Sequence, residues 1–277
     1  MSELRYEVEA FNTASLSDNK IHDDAVARRF GFLGGLVPGV DVYGYMTHLP
    51  VMRWGRAWLE RGSAECRFLR PVYDGDLAAV AAEETADGLA LRVESRGEVC
   101  ATGHAALPGA AVPVSADFAA FGVPARGARG VGAPPPAPPA VRPPADDRTL
   151  APGTWLMMNP IPITAEYAAE TLRDLRERAP LYAAEGLVHP AIVLRAGNWV
   201  LKDNVALGPW MHVGSRVQHF AALRVGDELA ARARVTANYE RKGHLFVECD
   251  VLVYANGKTP LARLAHTSIY RPRQLVE

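Results

Sequence analysis

The sequence predicts an α+β protein made of two similar halves. A stretch rich in proline, alanine and glycine covers residues 108–152 and holds eleven of the 21 prolines, so it is expected to separate two segments of ordinary domain size. A Gly-Leu-Val run begins at Gly35 and again at Gly186, 151 residues later. A Gly-Asp pair begins at Gly75 and again at Gly226, at the same separation. Because each half also shows one apolar segment followed by strand-like runs, we predict a duplicated unit whose sheet wraps a helix.

The first half is predicted to open with a strand, because residues 4–10 alternate apolar and charged side chains. Asp23 or Asp24 is expected to cap a short helix that ends at Arg29. Residues 39–48 are nearly free of charge and too long for a typical buried strand, so they are predicted to form a central helix. Four strands are predicted to follow, over residues 63–69, 77–85, 89–95 and 99–107.

The second half repeats this order. Thr164 is a predicted N-cap for a helix that runs to Leu175, and residues 190–201 are predicted to form the second apolar helix. Four strands are predicted over residues 215–223, 228–239, 244–254 and 261–270. We therefore expect an N-terminal unit over residues 1–110, a linker over 111–152 and a C-terminal unit over 153–277.

Composition excludes several classes of protein. The formal net charge is -1, with Lys+Arg 30 against Asp+Glu 31, so a general nucleic-acid or anionic-membrane partner is not expected. No stretch reaches the roughly 18 apolar residues of a membrane span. The cysteines Cys66, Cys100 and Cys249 lie far apart without a Cys/His cluster, which predicts a reducing cytoplasm and neither a disulfide scaffold nor a metal site. No nucleotide-binding glycine motif is present, so no cofactor is expected.

Three short motifs in the first half carry a family resemblance. They cover residues 17–24 (SDNKIHDD), 37–40 (VPGV) and 68–76 (FLRPVYDGD). In this order and spacing they resemble the motifs of the MaoC-like (R)-specific enoyl-CoA hydratases and dehydratases. The resemblance implies a double hotdog fold, in which each unit is an antiparallel sheet wrapped around a central helix. It also implies a pseudo-dimer within one chain, which could pair further as a homodimer.

The same resemblance assigns catalytic roles to Asp18, Asn19, His22 and Gly39. His22 and Asp18 would hold a water molecule and shuttle its proton, while Asn19 would fix the loop. The backbone N–H of Gly39, at the start of the central helix, would donate to the thioester oxygen as enolate charge develops.

Three positions depart from the motif of the family, and at one of them Lys20 stands in place of a proline. The family aspartate lies five residues before the histidine, where this chain has Ser17, so Asp18 would have to replace it. Pro38 occupies the position of the histidine that precedes the helix glycine. The resemblance nevertheless assigns Pro38, Val40 and Tyr43 to substrate binding. The second half has no matching loop and is expected to complete the substrate groove.

The function implied is a hydro-lyase of fatty acid metabolism. It would hydrate trans-2-enoyl thioesters reversibly, or dehydrate (R)-3-hydroxyacyl thioesters, carried by CoA or by an acyl-carrier protein. Two alternatives stay open: a hotdog thioesterase that uses Asp41 of the central helix, and a non-catalytic protein that binds acyl-CoA, favoured by Ser17 and Pro38. On the residues alone, the polar loop over 18–24 is also explained by carboxylates that cap turns and a helix.

Overall fold

An antiparallel sheet of eleven strands wraps two apolar helices in the computed structural model, which describes residues 3–110, 112–113, 121–122 and 137–273. The strands are β1 Leu4–Glu9, β2 Ser63–Phe68, β3 Leu77–Thr85, β4 Gly88–Ser95, β5 Glu98–Ala106, β6 Trp155–Met157, β7 Ile161–Pro162, β8 Met211–His219, β9 Glu228–Arg241, β10 His244–Ala255 and β11 Thr259–Arg271. The helices are α1 Asp24–Arg29, α2 Gly39–Trp54, α3 Arg56–Arg61, α4 Ala165–Asp174, α5 Leu181–Glu185 and α6 Pro190–Asn204.

The two halves share one continuous sheet. Its order is β1-β3-β4-β5-β2-β8-β11-β10-β9-β6, and the short β7 pairs with β9. Strand β2 of the first half pairs with β8 of the second half, so that Ser63 lies opposite Gln218 and Arg67 lies opposite Gly214. The predicted α+β class, with a meander of antiparallel strands after each apolar helix, is therefore confirmed.

The internal repeat is visible in individual hydrogen bonds. The Val37 N–H donates to the Val72 carbonyl at 2.9 Å, and the Val188 N–H donates to the Leu223 carbonyl at 2.9 Å. Both residues of the second pair follow those of the first by 151 positions, and α2 and α6 also begin 151 residues apart. The predicted duplication thus corresponds to two equivalent chain paths.

Helix α2 is longer than predicted. The predicted helix ends at His48. Inside the observed helix, Pro50 removes a backbone donor and clashes with the preceding turn. The helix continues to Trp54, with Leu49 and Val51 buried against the sheet, so burial of apolar side chains outweighs the cost of the proline. Helix α3, which follows immediately, was not predicted.

Part of the predicted linker packs against the second half. The Ala145 N–H donates to the Ala206 carbonyl at 3.1 Å, and Leu150 is fully buried. The side-chain amide of Asn238 donates to the Leu150 carbonyl at 3.1 Å. Residues 111, 114–120 and 123–136 of the predicted linker lie outside the described residues. The boundaries of the three predicted parts stay a prediction.

Candidate active site

A cavity of about 470 Å³ lies between the start of α2 and the beginning of β8, and residues of both halves line it. Most of the residues that line it are apolar, as is usual for pockets that bind small organic ligands. The apolar lining includes Ile21, Phe32, Val42, Phe68, Val72 and Ile269. The uncharged polar lining includes Asn19, His22, Asn198 and His212. Within the described part of the chain, no carboxylate lines this cavity.

His22 has a fixed orientation and tautomer. Its Nδ1 lies 2.6 Å from the Leu36 carbonyl oxygen, and a carbonyl only accepts, so Nδ1 carries the hydrogen. Nε2 therefore carries the lone pair, which accepts a hydrogen bond from the side-chain Nδ2 of Asn19 at 3.2 Å. Burial lowers the pKa of His22 below its ordinary value of 6.5, although the hydrogen bond to Leu36 and the charge of Asp41 oppose this shift. His22 is thus a neutral base at pH 7.

Asn19 ties the predicted catalytic loop to the other half of the protein. Its Nδ2 donates to the Trp210 carbonyl at 3.0 Å, and its Oδ1 accepts from the Trp210 N–H at 3.1 Å. The same Oδ1 faces the Ile21 N–H at 3.4 Å, at the start of the single 3₁₀ turn Lys20–His22. These contacts orient the amide so that Nδ2 faces His22, which makes Asn19 a positioning residue for the imidazole.

Gly39 begins α2 at the wall of the cavity. No side chain caps this end of the helix, because the N-cap position is Pro38. A Cβ atom at Gly39 would lie 3.0 Å from the Phe68 ring and 3.3 Å from Nδ1 of His212, closer than most side-chain contacts allow. Glycine therefore fits beside Phe68 and His212 where a larger residue would not, and the helix dipole favours negative charge at this uncapped end.

The loop carboxylates do not reach the cavity. Asp18 is exposed and is absent from the cavity lining. Asp23 accepts from the Val26 N–H at 2.9 Å and caps α1, and Asp24 accepts from the Gly35 N–H at 2.8 Å. The structure thus brings Asn19, His22 and Gly39 together but leaves Asp18 in solvent, because Asn19 is the residue of this loop that faces the second half.

Two of the predicted substrate-binding residues point elsewhere. Pro38 lines the cavity, but Val40 and Tyr43 are buried in the core, with 2% and 1% of their surface exposed, and do not line it. The helical period explains this correction, since Gly39 and Val42 are three positions apart and share one face of α2. Val42 lines the cavity in their stead.

Sequence reasoning missed two polar residues contributed by the second half. Nδ1 of His212 and Oδ1 of Asn198 are buried in the cavity wall, and neither has a hydrogen-bond partner within the described residues. Buried polar atoms are nearly always paired in native proteins, so these two indicate the place of a water molecule or of a polar ligand group. No sequence pattern separates a histidine of this kind from one buried in the core.

The carboxylate that a thioesterase would use is engaged elsewhere. Asp41 is fully buried, and its Oδ1 accepts from Nη2 of Arg195 on α6 at 2.5 Å. Its Oδ2 accepts from the Thr13 hydroxyl at 2.6 Å. Asp41 does not line the cavity.

Among the described residues, no group of three or more metal-ligating side chains could hold a metal ion. No helix in this part of the chain is long and apolar enough to cross a membrane.

Comparison with solved structures shows the fold. A protein from Chloroflexus aurantiacus described as a MaoC domain dehydratase matches 98% of this chain and 95% of its own, with a TM-score of 0.62 and 10% identity. A conserved hypothetical protein from Mycobacterium tuberculosis with a double hotdog fold matches 97% and 96%, with a TM-score of 0.62 and 15% identity. A protein from Lactobacillus plantarum described as an oleoyl thioesterase matches 98% and 97%, with a TM-score of 0.51 and 11% identity.

This protein therefore has a double hotdog fold, as the sequence predicts. No protein-family model and no curated protein matches the chain. At such low identity the structural likeness extends to dehydratases and to thioesterases alike, so the reaction has to be argued from the cavity itself.

Proposed function

We propose that this protein reversibly hydrates trans-2-enoyl thioesters, or dehydrates the corresponding 3-hydroxyacyl thioesters. The observation that carries the proposal is the orientation of His22. Its Nδ1–H is held by the Leu36 carbonyl, so the basic lone pair lies on Nε2, beside the Asn19 amide. His22 lines a cavity that also contains the uncapped start of α2. A base and an anion-stabilising helix end in one apolar cavity are the two groups that this reaction needs.

The reaction can proceed with His22 as the acid and base. A water molecule first replaces the Asn19 amide at Nε2, and Nε2 then takes one proton from this water as its oxygen bonds to C3 of the enoyl group. The C2–C3 π electrons then become the enolate, whose charge lies on the thioester oxygen and is stabilised by the Gly39 N–H. The protonated imidazole returns its proton to C2, so one water is added and His22 is restored. Dehydration follows the same steps in reverse.

The substrate is expected to be an acyl group on CoA or on an acyl-carrier protein. The apolar walls suit an acyl chain, and the volume of about 470 Å³ lies within the range of small-molecule pockets. Arg70 and Arg273 also line the cavity, and guanidinium groups bind phosphates well. The three unpaired buried cysteines favour a reducing compartment, so we propose the cytoplasm as the location.

Non-catalytic binding of an acyl thioester is the second candidate. The observation that favours it is the cavity lining, which contains no carboxylate within the described residues. A thioesterase that uses Asp41 is disfavoured, because Arg195 and Thr13 already occupy both oxygens of that carboxylate.

The test is the ultraviolet absorbance of enoyl-CoA substrates of short, medium and long chain length, since hydration removes the conjugated thioester. We expect the wild type to hydrate at least one of them and His22→Gln to lose about 100-fold or more in rate. His104→Gln is the matched control, because His104 lies away from the cavity on β5 and is partly exposed. No hydration of any chain length by the wild type would refute the proposal, and saturable binding without turnover would support the second candidate.

A further inference from the structure

His212 belongs to the second half but contacts the start of the helix of the first half. The residue lies on β8, and its ring lines the same cavity as His22. Phe68 packs edge-on against it, with 4.9 Å between ring centroids. Nδ1 is the atom of this ring that lies nearest to Gly39. A Cβ atom added to Gly39 would lie 3.3 Å from it. Nδ1 therefore lies beside Gly39, the first residue of α2.

The other nitrogen of His212 belongs to a buried chain of hydrogen bonds. Nε2 lies 2.9 Å from the Ser215 hydroxyl, which lies 2.9 Å from Nδ1 of His266. Nε2 of His266 lies 3.3 Å from the Ser268 hydroxyl. The two imidazoles also stack, with 4.2 Å between ring centroids. The ring of His212 is thus held on one face and at Nε2, and the backbone of Gly214 also contacts the ring. Nδ1 makes no hydrogen bond of ordinary geometry among the described residues.

Burial keeps both imidazole rings neutral, and the chain of hydrogen bonds allows Nδ1 of His212 to carry a hydrogen. Burial and the nearby His266 ring lower the pKa of His212 well below its ordinary value, although a hydrogen bond with the Gly214 backbone opposes this shift, and burial lowers the pKa of His266 to about 3. In a neutral chain, Ser268 can donate to His266, His266 to Ser215 and Ser215 to Nε2 of His212. Nδ1 of His212 is then an N–H donor that faces the cavity.

The two central helices carry glycines where these rings approach. A Cβ atom at Gly197 of α6 would lie 2.7 Å from Nδ1 of His266, as one at Gly39 of α2 would lie 3.3 Å from Nδ1 of His212. Any larger residue at Gly197 would displace the second imidazole, which stacks on the first. The space that the chain of hydrogen bonds needs is therefore provided by both halves.

We propose that His212 is a further catalytic residue, whose neutral Nδ1–H donates to the thioester oxygen beside the Gly39 N–H. This inference rests on the proposed function, since it concerns the oxygen that becomes the enolate oxygen. His212 neither gains nor loses a proton in the reaction. His22 alone carries the proton from water to C2, and the hydrogen bond from His212 strengthens as negative charge develops on the oxygen.

The kinetic test compares His212→Phe, which keeps an aromatic ring but removes the donor, with His212→Asn, whose amide N–H can reach the position of Nδ1. We expect His212→Phe to lower kcat by about 100-fold or more with little change in KM, and His212→Asn to recover much of the loss. His219→Phe is the matched control, because it replaces another buried imidazole that does not line the cavity. A His212→Phe variant with wild-type kcat would overturn the inference. Should His212→Phe not fold, His212→Leu removes the same donor and the same outcomes apply.

A spectroscopic test separates this inference from the proposed function. A 2,4-dienoyl-CoA bound to His22→Gln, in which hydration is blocked, should absorb at longer wavelength than in water because the hydrogen-bonded carbonyl polarises the conjugated system. We expect this shift to be lost in His22→Gln combined with His212→Phe. The wild type could lack hydratase activity while the absorbance of the bound dienoyl group still shifts and the shift depends on His212. That result would refute the proposed reaction and would support the contact between His212 and the carbonyl oxygen. The wild type could instead turn over substrate while the absorbance shift is absent or is unchanged by His212→Phe. That result would refute the role of His212.

Discussion

The imidazole of His219 packs edge-on against the indole of Trp58, with 5.2 Å between ring centroids, where strand β8 of the second half meets α3 of the first. Both side chains are buried, and Nε2 of His219 has no hydrogen-bond partner among the described residues. Burial lowers the pKa of His219 from 6.5 to about 4. A histidine that must stay neutral in the folded protein therefore sits at the junction of the two halves.

This contact predicts a loss of stability in mild acid. The unfolded chain binds a proton at His219 below pH 6.5 while the folded protein does not, so the stabilisation is complete above pH 6.5 and is lost as the pH falls. Between pH 7 and pH 5 the loss amounts to about 2 kcal/mol for this group. His219→Phe should reduce the pH dependence of the unfolding free energy by that amount, measured by denaturant titration. An unchanged pH dependence in His219→Phe, with His104→Gln as the partly exposed control, would contradict the prediction.

The ion pair between Asp41 and Arg195 is expected to hold the two central helices together. Asp41→Asn leaves the guanidinium without its carboxylate in a mostly buried site, so the free energy of unfolding should fall by about 3–5 kcal/mol. Replacing both residues, Asp41→Leu with Arg195→Met, should restore part of the loss because no unpaired charge remains. Denaturant unfolding of the single and double variants measures both effects. A stable Asp41→Asn protein that has lost thioester hydrolysis would favour the thioesterase.

The turnover rate is expected to fall at acidic pH. His22 acts as a base only when neutral, and burial lowers its pKa below 6.5, so the rate should stay constant above that pH and decline as the pH falls through the lowered pKa. Measurement of kcat/KM against pH reports this group in the free protein. A decline that begins well above pH 6.5 would show that another group controls the rate.

Neighbouring positions of the loop should behave differently. Asn19→Ala removes two hydrogen bonds to Trp210 and the contact with Nε2 of His22, so we expect a fall in kcat of about tenfold or more from the loosened imidazole. Asp18→Asn changes an exposed carboxylate and should leave turnover close to that of the wild type. Steady-state kinetics of both variants, with melting temperatures, separates the two. A large loss in Asp18→Asn would show that the loop moves Asp18 into the cavity when substrate binds.

The architecture was predictable because its signals are local and repeated. The alternation of residues in the strands, the apolar segments of α2 and α6 and the landmarks at Gly35 and Gly186 all lie within short stretches of chain. Even so, the end of α2 was misplaced, because burial of Val51 outweighs the local effect of Pro50. Local patterns predict the type of an element better than its boundary.

The candidate site was only partly predictable, for a physical reason. The sequence by itself determined the duplicated α+β unit, which follows from order and spacing along the chain. The resemblance to a known family then implied the double hotdog and the loop that carries Asn19 and His22. Only the tertiary structure decided that Asp18 faces solvent and that His212 of the second half meets Gly39 of the first. Those relations depend on the pairing of β2 with β8 across the two halves, and residues so far apart in sequence leave no local pattern.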